Sequence, residues 1–371
     1  FEAMRPWFVE RFGNPGSGHV WGLEAKQAVA RAREQVAGLL GCGPESVTFT
    51  SGATEANNLV LQGTLAEGPG ALVLSNLEHP SVAEPALELA RRGHVVVTAE
   101  SDEQGVVQPR AVSRALDRAE AAIAAKGHGG PSGLKLFSLM LANNETGVIQ
   151  PVAEACALAR ERGWLTHTDA AQAVGKIPVN VAALGVDFLT VAGHKLYAPK
   201  GVGALHVRPG LTPRPLVFGG GQERGLRPGT ENVPYMVALA EACAVAGEDL
   251  PVEAARQRDL GAMLLDGLAT LGRPYRVHGL EAPRLPNTLS VGFKDLAAGD
   301  ILSGLVAEDV AVSSGAACHA GVHEVSSVLK AMRVPEAYAL GTIRVTWGRL
   351  TTREDVAALL ERLGRVLRSL A

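Results

Sequence analysis

The sequence predicts an α/β protein, with a seven-stranded, mostly parallel sheet in a large domain and a smaller α+β domain after it. Three observations predict this. Seven short β-rich runs follow one another at 47–50, 71–75, 95–98, 134–141, 164–168, 187–191 and 203–207. Most are separated by stretches of helical periodicity, among them 80–92, 109–126 and 152–162, and such alternation yields parallel strands with helices on both faces. From about Val233 the pattern changes to long helical stretches mixed with strand runs at 288–291, 310–312 and 343–346, closing on a helix at 353–370.

Taken in order, the chain opens on a turn-rich loop, Arg11-Phe-Gly-Asn-Pro-Gly-Ser-Gly-His19. A helix at about 23–40 follows, with Val29, Ala32, Val36 and Leu40 at helical spacing and Gly41 to close it. The Gly-rich stretch 127–133 reads as a surface loop. Two helical patterns, one reaching about Gly247 and one over 252–271, lead into the second region. No Ser/Gly/Pro-rich linker separates the regions, so the boundary is expected inside a long helix. The expected division is 14–245 for the large domain and 1–13 with 246–371 for the small one.

With 371 residues, 47% hydrophobic and 20% charged, the chain can build a substantial core. A net charge of -3 offers no basic surplus for nucleic acid, and no apolar run reaches the roughly 18 residues of a membrane span. Small-molecule chemistry is expected. Cys42, Cys156, Cys243 and Cys318 are widely spaced and form no CxxC pair, which suits a reducing cytoplasm better than a disulfide framework; no metal site is expected. The chain begins at Phe1 and not Met, which leaves a targeting segment open.

In α/β sheets ligands sit at the carboxyl ends of strands. The run 187–191 leads into Gly193-His194-Lys195, where desolvation can lower a lysine pKa and leave a free amine for a Schiff base; a solvated surface lysine is the alternative. At Thr48-Phe-Thr-Ser-Gly-Ala-Thr-Glu55 a strand turns into a helix near Thr54. The exposed N–H groups there suit a phosphate, although Ser-Gly before a helix is also an ordinary cap. His79 leaves a strand where it can stack on a planar ligand or serve structure alone. Asn144, in Leu141-Ala-Asn-Asn-Glu-Thr-Gly147, can donate to a ligand oxygen, though paired Asn before Gly is also turn chemistry. Asp169, at the end of a buried strand, is costly unless something positive meets it. Jointly these ask for a phosphate, a flat ring, a ring cation and an aldehyde. Pyridoxal 5'-phosphate has all four.

Five motifs then occur in order: Thr50-Ser-Gly-Ala-Thr-Glu55, His167-Thr-Asp-Ala-Ala-Gln172, Gly193-His-Lys195, Gly219-Gly-Gly-Gln-Glu-Arg224 and Arg227-Pro-Gly-Thr-Glu-Asn232. With them the chain resembles, over essentially its whole length, the cysteine desulfurases of the NifS/IscS type within the class V aminotransferases, and nearly as closely the selenocysteine lyases. The resemblance implies the fold type I architecture of pyridoxal-phosphate enzymes, a homodimer, and conversion of L-cysteine to L-alanine with a persulfide left on the enzyme. By the same resemblance Lys195 matches the Schiff-base lysine, Asp169 the partner of the ring nitrogen and His79 the stacking residue. Ala53, Thr54 and His194 match phosphate contacts, Gln172 the contact to the ring hydroxyl, and Asn144 a residue near ring and substrate. Thr230 matches a phosphate contact supplied by the other subunit, and Arg344 the clamp on the substrate carboxylate, where a bidentate fork suits arginine.

Cys318 lies in Ser313-Ser-Gly-Ala-Ala-Cys-His-Ala-Gly321, among small residues that would not bury it, which suits a nucleophile that must reach a substrate and carry sulfur away. The resemblance makes it the sulfur acceptor, with the persulfide passed on to a scaffold or sulfur-carrier protein. The pathway served stays open among iron–sulfur cluster assembly, tRNA thiolation and selenium supply. Two positions depart from many relatives: Ala192 stands where a serine contacts phosphate, and His319 follows Cys318 where threonine is usual, a trait shared with selenocysteine lyases. The chain also starts after the Ala-Thr-Thr-Pro segment that usually opens the family. A plain aminotransferase would have no use for Cys318, and a non-catalytic scaffold would be free to lose Lys195 or Asp169.

Overall fold

The computed structural model describes residues 1–126, 134–314 and 325–370. The seven expected runs form one sheet: β1 (Val47–Thr50), β2 (Ala71–Ser75), β3 (Val95–Ala99), β4 (Lys135–Ser138), β5 (Leu165–Asp169), β6 (Phe188–Ala192) and β7 (Gly203–Val207), in spatial order β1-β7-β6-β5-β4-β2-β3. Pairing is parallel from β3 through β6, while β7 runs antiparallel to both β6 and β1. Because β1 and β6 each oppose β7, they point the same way. The carboxyl ends of β1, β2, β4, β5 and β6 therefore share one edge of the sheet. β1, β2, β6 and β7 are buried at every position, the pattern of strands covered on both faces. β4 is shorter than the apolar run that announced it, because its apolar tail, Leu139 to Leu141, continues as irregular backbone.

The first long helix, Val20–Leu40, starts three residues earlier than its apolar spacing implies, since the His19 ring caps it by accepting from Gly22 N. It ends at Gly41 in the left-handed region, φ 68°, where glycine carries no Cβ penalty. The two helical patterns expected on either side of residue 250 are one helix, Val233–Ala269, which passes through Pro251 at the cost of one backbone hydrogen bond.

The chain falls into two compact units. The first comprises 1–99, 109–141 and 151–249; the second comprises 100–108, 142–150 and 250–371. Residues 1–13, expected with the smaller domain, belong to the first unit: Trp7 is buried, and Phe8 meets Tyr235 edge-on at 6.3 Å. Segments 100–108 and 142–150, expected in the large domain, belong to the second. Gln150 joins them, accepting from Val107 N at 2.9 Å and donating to Gly105 O at 2.7 Å. Ile149 N donates to Pro283 O and Leu285 N to Gly147 O, both at 2.8 Å.

The second unit is built on a four-stranded antiparallel sheet, β8 (Tyr275–Val277), β9 (Thr288–Phe293), β10 (Ser313–Ser314) and β11 (Thr342–Thr346), ordered β10-β11-β9-β8. Its core gathers Leu260, Leu264, Val291, Phe293, Ile343 and Leu367. The strand expected at 310–312 is absent; Val310 and Val312 pack on this core, and the strand forms one step later at Ser313. β8 is too short and too polar to have been read from its sequence. Among the described residues no helix is long and apolar enough to cross a membrane, and no cluster of His, Cys, Asp or Glu could hold a metal ion.

Candidate active site

Gly203 lets the turn after β1 lie close over the sheet edge. It pairs with Thr50 of β1 on one side and Ala192 of β6 on the other. A Cβ there would lie 2.6 Å from Val191 O and 2.8 Å from Gly52 Cα, so only glycine lets the turn after β1 fold over the strand. Gly52 has φ +153°, and from it springs the helix Ala53–Thr64, whose first turn has no side-chain cap. Such uncapped first-turn N–H groups are an arrangement that suits an anion. Ala53 is half-buried and Thr54 exposed. Glu55 fastens this corner, accepting from Ser51 N at 2.8 Å and pairing with Arg227 Nε at 3.0 Å. Arg227 leads the turn that carries Thr230, which is exposed, so that turn is tied to the same helix.

One strand inward, Asp169 ends β5 opposite Thr190 and is 6% exposed. Its Oδ1 accepts from Ala171 N at 2.9 Å and its Oδ2 from Asn57 Nδ2 at 2.7 Å, both uncharged donors. Burial raises its pKa against these hydrogen bonds and against the attraction of His79 and Lys195. Asn57 also donates to Ser81 Oγ at 2.9 Å, and Ser81 Oγ stands 2.8 Å from His79 Nδ1. A continuous line thus runs from Asp169 to His79 through three elements. His79 caps the helix Pro80–Arg91 by accepting from Ser81 N at 3.1 Å. Since Nδ1 accepts, the neutral ring holds its proton on Nε2. Burial lowers the His79 pKa, Asp169 opposes this, and Lys195 reinforces it.

Beyond β6 the chain makes a single 3-10 turn, Gly193–Leu196, and reverses at Tyr197 with φ 67°. A Cβ on Gly193 would sit 2.7 Å from Val202 O. The turn holds Lys195 half-buried and His194 exposed. Lys195 is the electrostatic centre of the edge, because its charge depresses His79, His194 and Lys176 and favours the Asp169 carboxylate. Gln172, on the turn after Asp169, is tied to Lys176, whose Nζ donates to Gln172 O at 2.9 Å and to Gln172 Oε1 at 3.2 Å. Lys176 is pushed down to about 7 by burial first and by Lys195 second.

In the second unit, Arg344 on β11 donates from Nη1 to Asn144 O at 3.0 Å, while its Nε is buried without a protein partner. Asn143 shapes the loop, its Oδ1 accepting from Glu145 N at 2.9 Å and Thr146 N at 3.0 Å. Glu145 accepts from Ser326 Oγ at 2.5 Å and is pushed up to about 7 by burial, with Arg344 opposing the shift. Cys318 and His319 lie outside the described residues.

Residues 1–359 match the Aminotransferase class-V family. The chain belongs to that family. It is 37% identical to "Cysteine desulfurase IscS" of Dictyoglomus turgidum over 373 aligned positions, covering 100% of this chain and 91% of the relative. Among solved structures, a NifS-like protein superposes with TM-score 0.88 at 34% identity, covering 99% of this chain and 95% of that one. A structure described as SspA in complex with cysteine superposes with TM-score 0.79 at 30% identity, covering 95% of each chain. The resemblance read from the motifs is borne out, and so is the seven-stranded architecture.

In this class-V family member, sequence reasoning found the strand ends but missed the residues behind them: Asn57, Ser81, Glu78, Lys176, Glu145 and Ser326. Asn57 left a signal, a polar residue among the buried Ala56, Leu59 and Val60 of one helix. Glu78, just before His79, is pushed up to about 8 by burial; it accepts from Ser75 Oγ at 2.6 Å and Met140 N at 2.9 Å, tying β2 to the segment after β4. Cys156 and Cys243 are buried and pushed up to about 12, consistent with inert packing thiols.

Proposed function

We propose that this chain is a pyridoxal-phosphate-dependent cysteine desulfurase that converts L-cysteine to L-alanine and receives the sulfur on Cys318 as a persulfide. The observation that carries the reading is the line from Asp169 through Asn57 and Ser81 to His79, on the edge where Lys195 stands. A buried carboxylate held by neutral donors alone fits a pyridinium nitrogen, and the uncapped helix at Ala53 and Thr54 fits the phosphate. The names of the relatives support sulfur over the selenocysteine lyase reading.

When bound, the cofactor supplies an aldehyde carbon that exchanges between Lys195 and the substrate amine, and a cationic ring that withdraws electrons. Asp169 would keep that ring protonated, His79 would lie against it, and Gln172 would contact its hydroxyl oxygen. Ala53, Thr54, His194 and the partner subunit's copy of the Thr230 turn would hold the phosphate. Arg344, whose Nε lacks a protein partner, grips the substrate carboxylate beside Asn144. Lys195 Nζ takes the α-proton and Cys318 Sγ, as thiolate, attacks the substrate sulfur. The S–S bond forms as the substrate C–S bond breaks, its electron pair staying with the carbon skeleton, which is protonated to alanine. The persulfide then passes to a carrier or scaffold protein. A homodimer completes the reading, supported by Phe8, Phe12, Trp21, Val217 and Phe218 standing exposed on the first unit; a cytoplasmic location is part of the proposal, resting on the widely spaced cysteines of the sequence.

The test measures alanine from L-cysteine and from L-selenocysteine, under reducing conditions, with wild type and Cys318→Ala. Loss of nearly all alanine from cysteine, with a sizeable part kept from selenocysteine, is expected, since selenium leaves without attack by a thiol. Wild-type protein inert toward cysteine overturns the assignment.

A further inference from the structure

We propose that Lys176 is a positioning residue, which turns the Gln172 amide so that its NH2, and not its oxygen, faces the ring hydroxyl oxygen of bound pyridoxal phosphate. The inference rests on the functional reading above, in which Gln172 contacts that oxygen. The two ends of a glutamine amide are nearly identical in shape and opposite in hydrogen-bonding sense. Below about pH 7, where Lys176 is an ammonium with donors alone, the end that meets its Nζ at 3.2 Å is the oxygen. Nζ is also held by the backbone carbonyl of the same residue at 2.9 Å, which keeps it from following the amide if the amide turns over. A reversed amide would set NH2 against a cation.

Lys176 is not needed to close the turn it belongs to. Backbone bonds already do so: Ala173 N and Val174 N donate to Ala170 O at 2.9 and 3.1 Å, and Lys176 N and Ile177 N donate to Ala173 O at 3.0 and 3.1 Å. An amine here is costly, since burial first and the Lys195 charge second disfavour the protonated form of Lys176. An apolar residue would fill this half-buried position at less cost. What the lysine adds is direction. An amide NH2 aimed at the ring oxygen stabilises that oxygen in its ionised form, whereas an amide oxygen would stabilise the protonated hydroxyl.

The test compares wild type, Lys176→Met, Lys176→Arg, Gln172→Ala and the Lys176→Met/Gln172→Ala double variant, each reconstituted with pyridoxal phosphate. Two quantities are read besides activity: the dissociation constant of the cofactor and the pH midpoint of its visible absorption. Lys176→Met is expected to weaken cofactor binding roughly tenfold and to move the midpoint upward, with Lys176→Arg restoring both. The double variant should be no worse than Gln172→Ala, because Lys176 acts through Gln172. Additive losses, or a Lys176→Met spectrum identical to wild type, overturn the proposal while the functional reading stands. Wild-type protein that binds no pyridoxal phosphate overturns both.

Discussion

Asp169 shows how much of the chemistry rests on single side chains. Its carboxylate is buried, and burial works against its charge, so the native protein carries a cost that a cationic ring nitrogen would repay. Asp169→Asn keeps the shape and the Asn57 and Ala171 neighbours but removes that charge. Turnover of cysteine is expected to fall about 10²-fold or more, about 2.7 kcal/mol of barrier, with the cofactor's visible spectrum altered. Unchanged turnover with a normal spectrum would make Asp169 structural only. Lys195→Ala replaces a half-buried amine on a turn outside the core, so folding should survive while cofactor attachment and alanine formation are lost. Borohydride reduction followed by mass analysis checks this directly, because wild type should retain the cofactor covalently and the variant should not.

At the scale of elements, the site depends on how closely three strand ends approach. β7 carries Gly203 between Thr50 and Ala192, and the turn at Gly52 crosses it at a distance no Cβ tolerates. Gly203→Ala should therefore move the start of the helix Ala53–Thr64 as well as strain the sheet. The expected cost is about 1–3 kcal/mol in denaturant unfolding, accompanied by weaker cofactor retention. A variant with wild-type stability and retention would show that the approach is adjustable.

For the whole molecule, stability is tied to pH through groups far from water. Glu78 is raised from 4.5 to about 8, so its contribution is fully present below its ordinary value and is lost as pH climbs through 8. His167, lowered from 6.5 to about 3, works in the opposite sense, costing stability as pH falls below 6.5. The wild-type curve mixes these, and the difference between Glu78→Gln and wild type isolates the carboxyl. Between pH 4.5 and 8 the variant should gain relative stability by up to a few kcal/mol, at about 1.36 kcal/mol per unit, read from urea midpoints. A constant difference would mean that Glu78 is ionised in the native state. If the proposed homodimer holds, sedimentation should give twice the chain mass, and the exposed Phe12, Trp21 and Phe218 are the apolar residues it would be expected to cover.

The strands, the helix at Val20–Leu40 and the residues at each strand end were legible in the chain itself. Apolar β-branched runs and glycine stops are local signals, and a parallel sheet forces ligands to its carboxyl edge. His79, Asp169 and Lys195 stood out because each follows a buried run. What joins them was not legible. Asn57 lies 112 positions from Asp169 and 24 from Ser81, and hydrogen bonds over such separations exist only once the sheet has brought the ends of its strands together. The same holds for segments 100–108 and 142–150, loops whose membership in the second unit depends on Gln150 and on backbone bonds to residues 283 and 285. Sequence alone determined which residue types stand at the edge, since propensity and periodicity act over a few neighbours. Tertiary structure decided which way each side chain faces and what charge it can hold, because burial and distant partners set both.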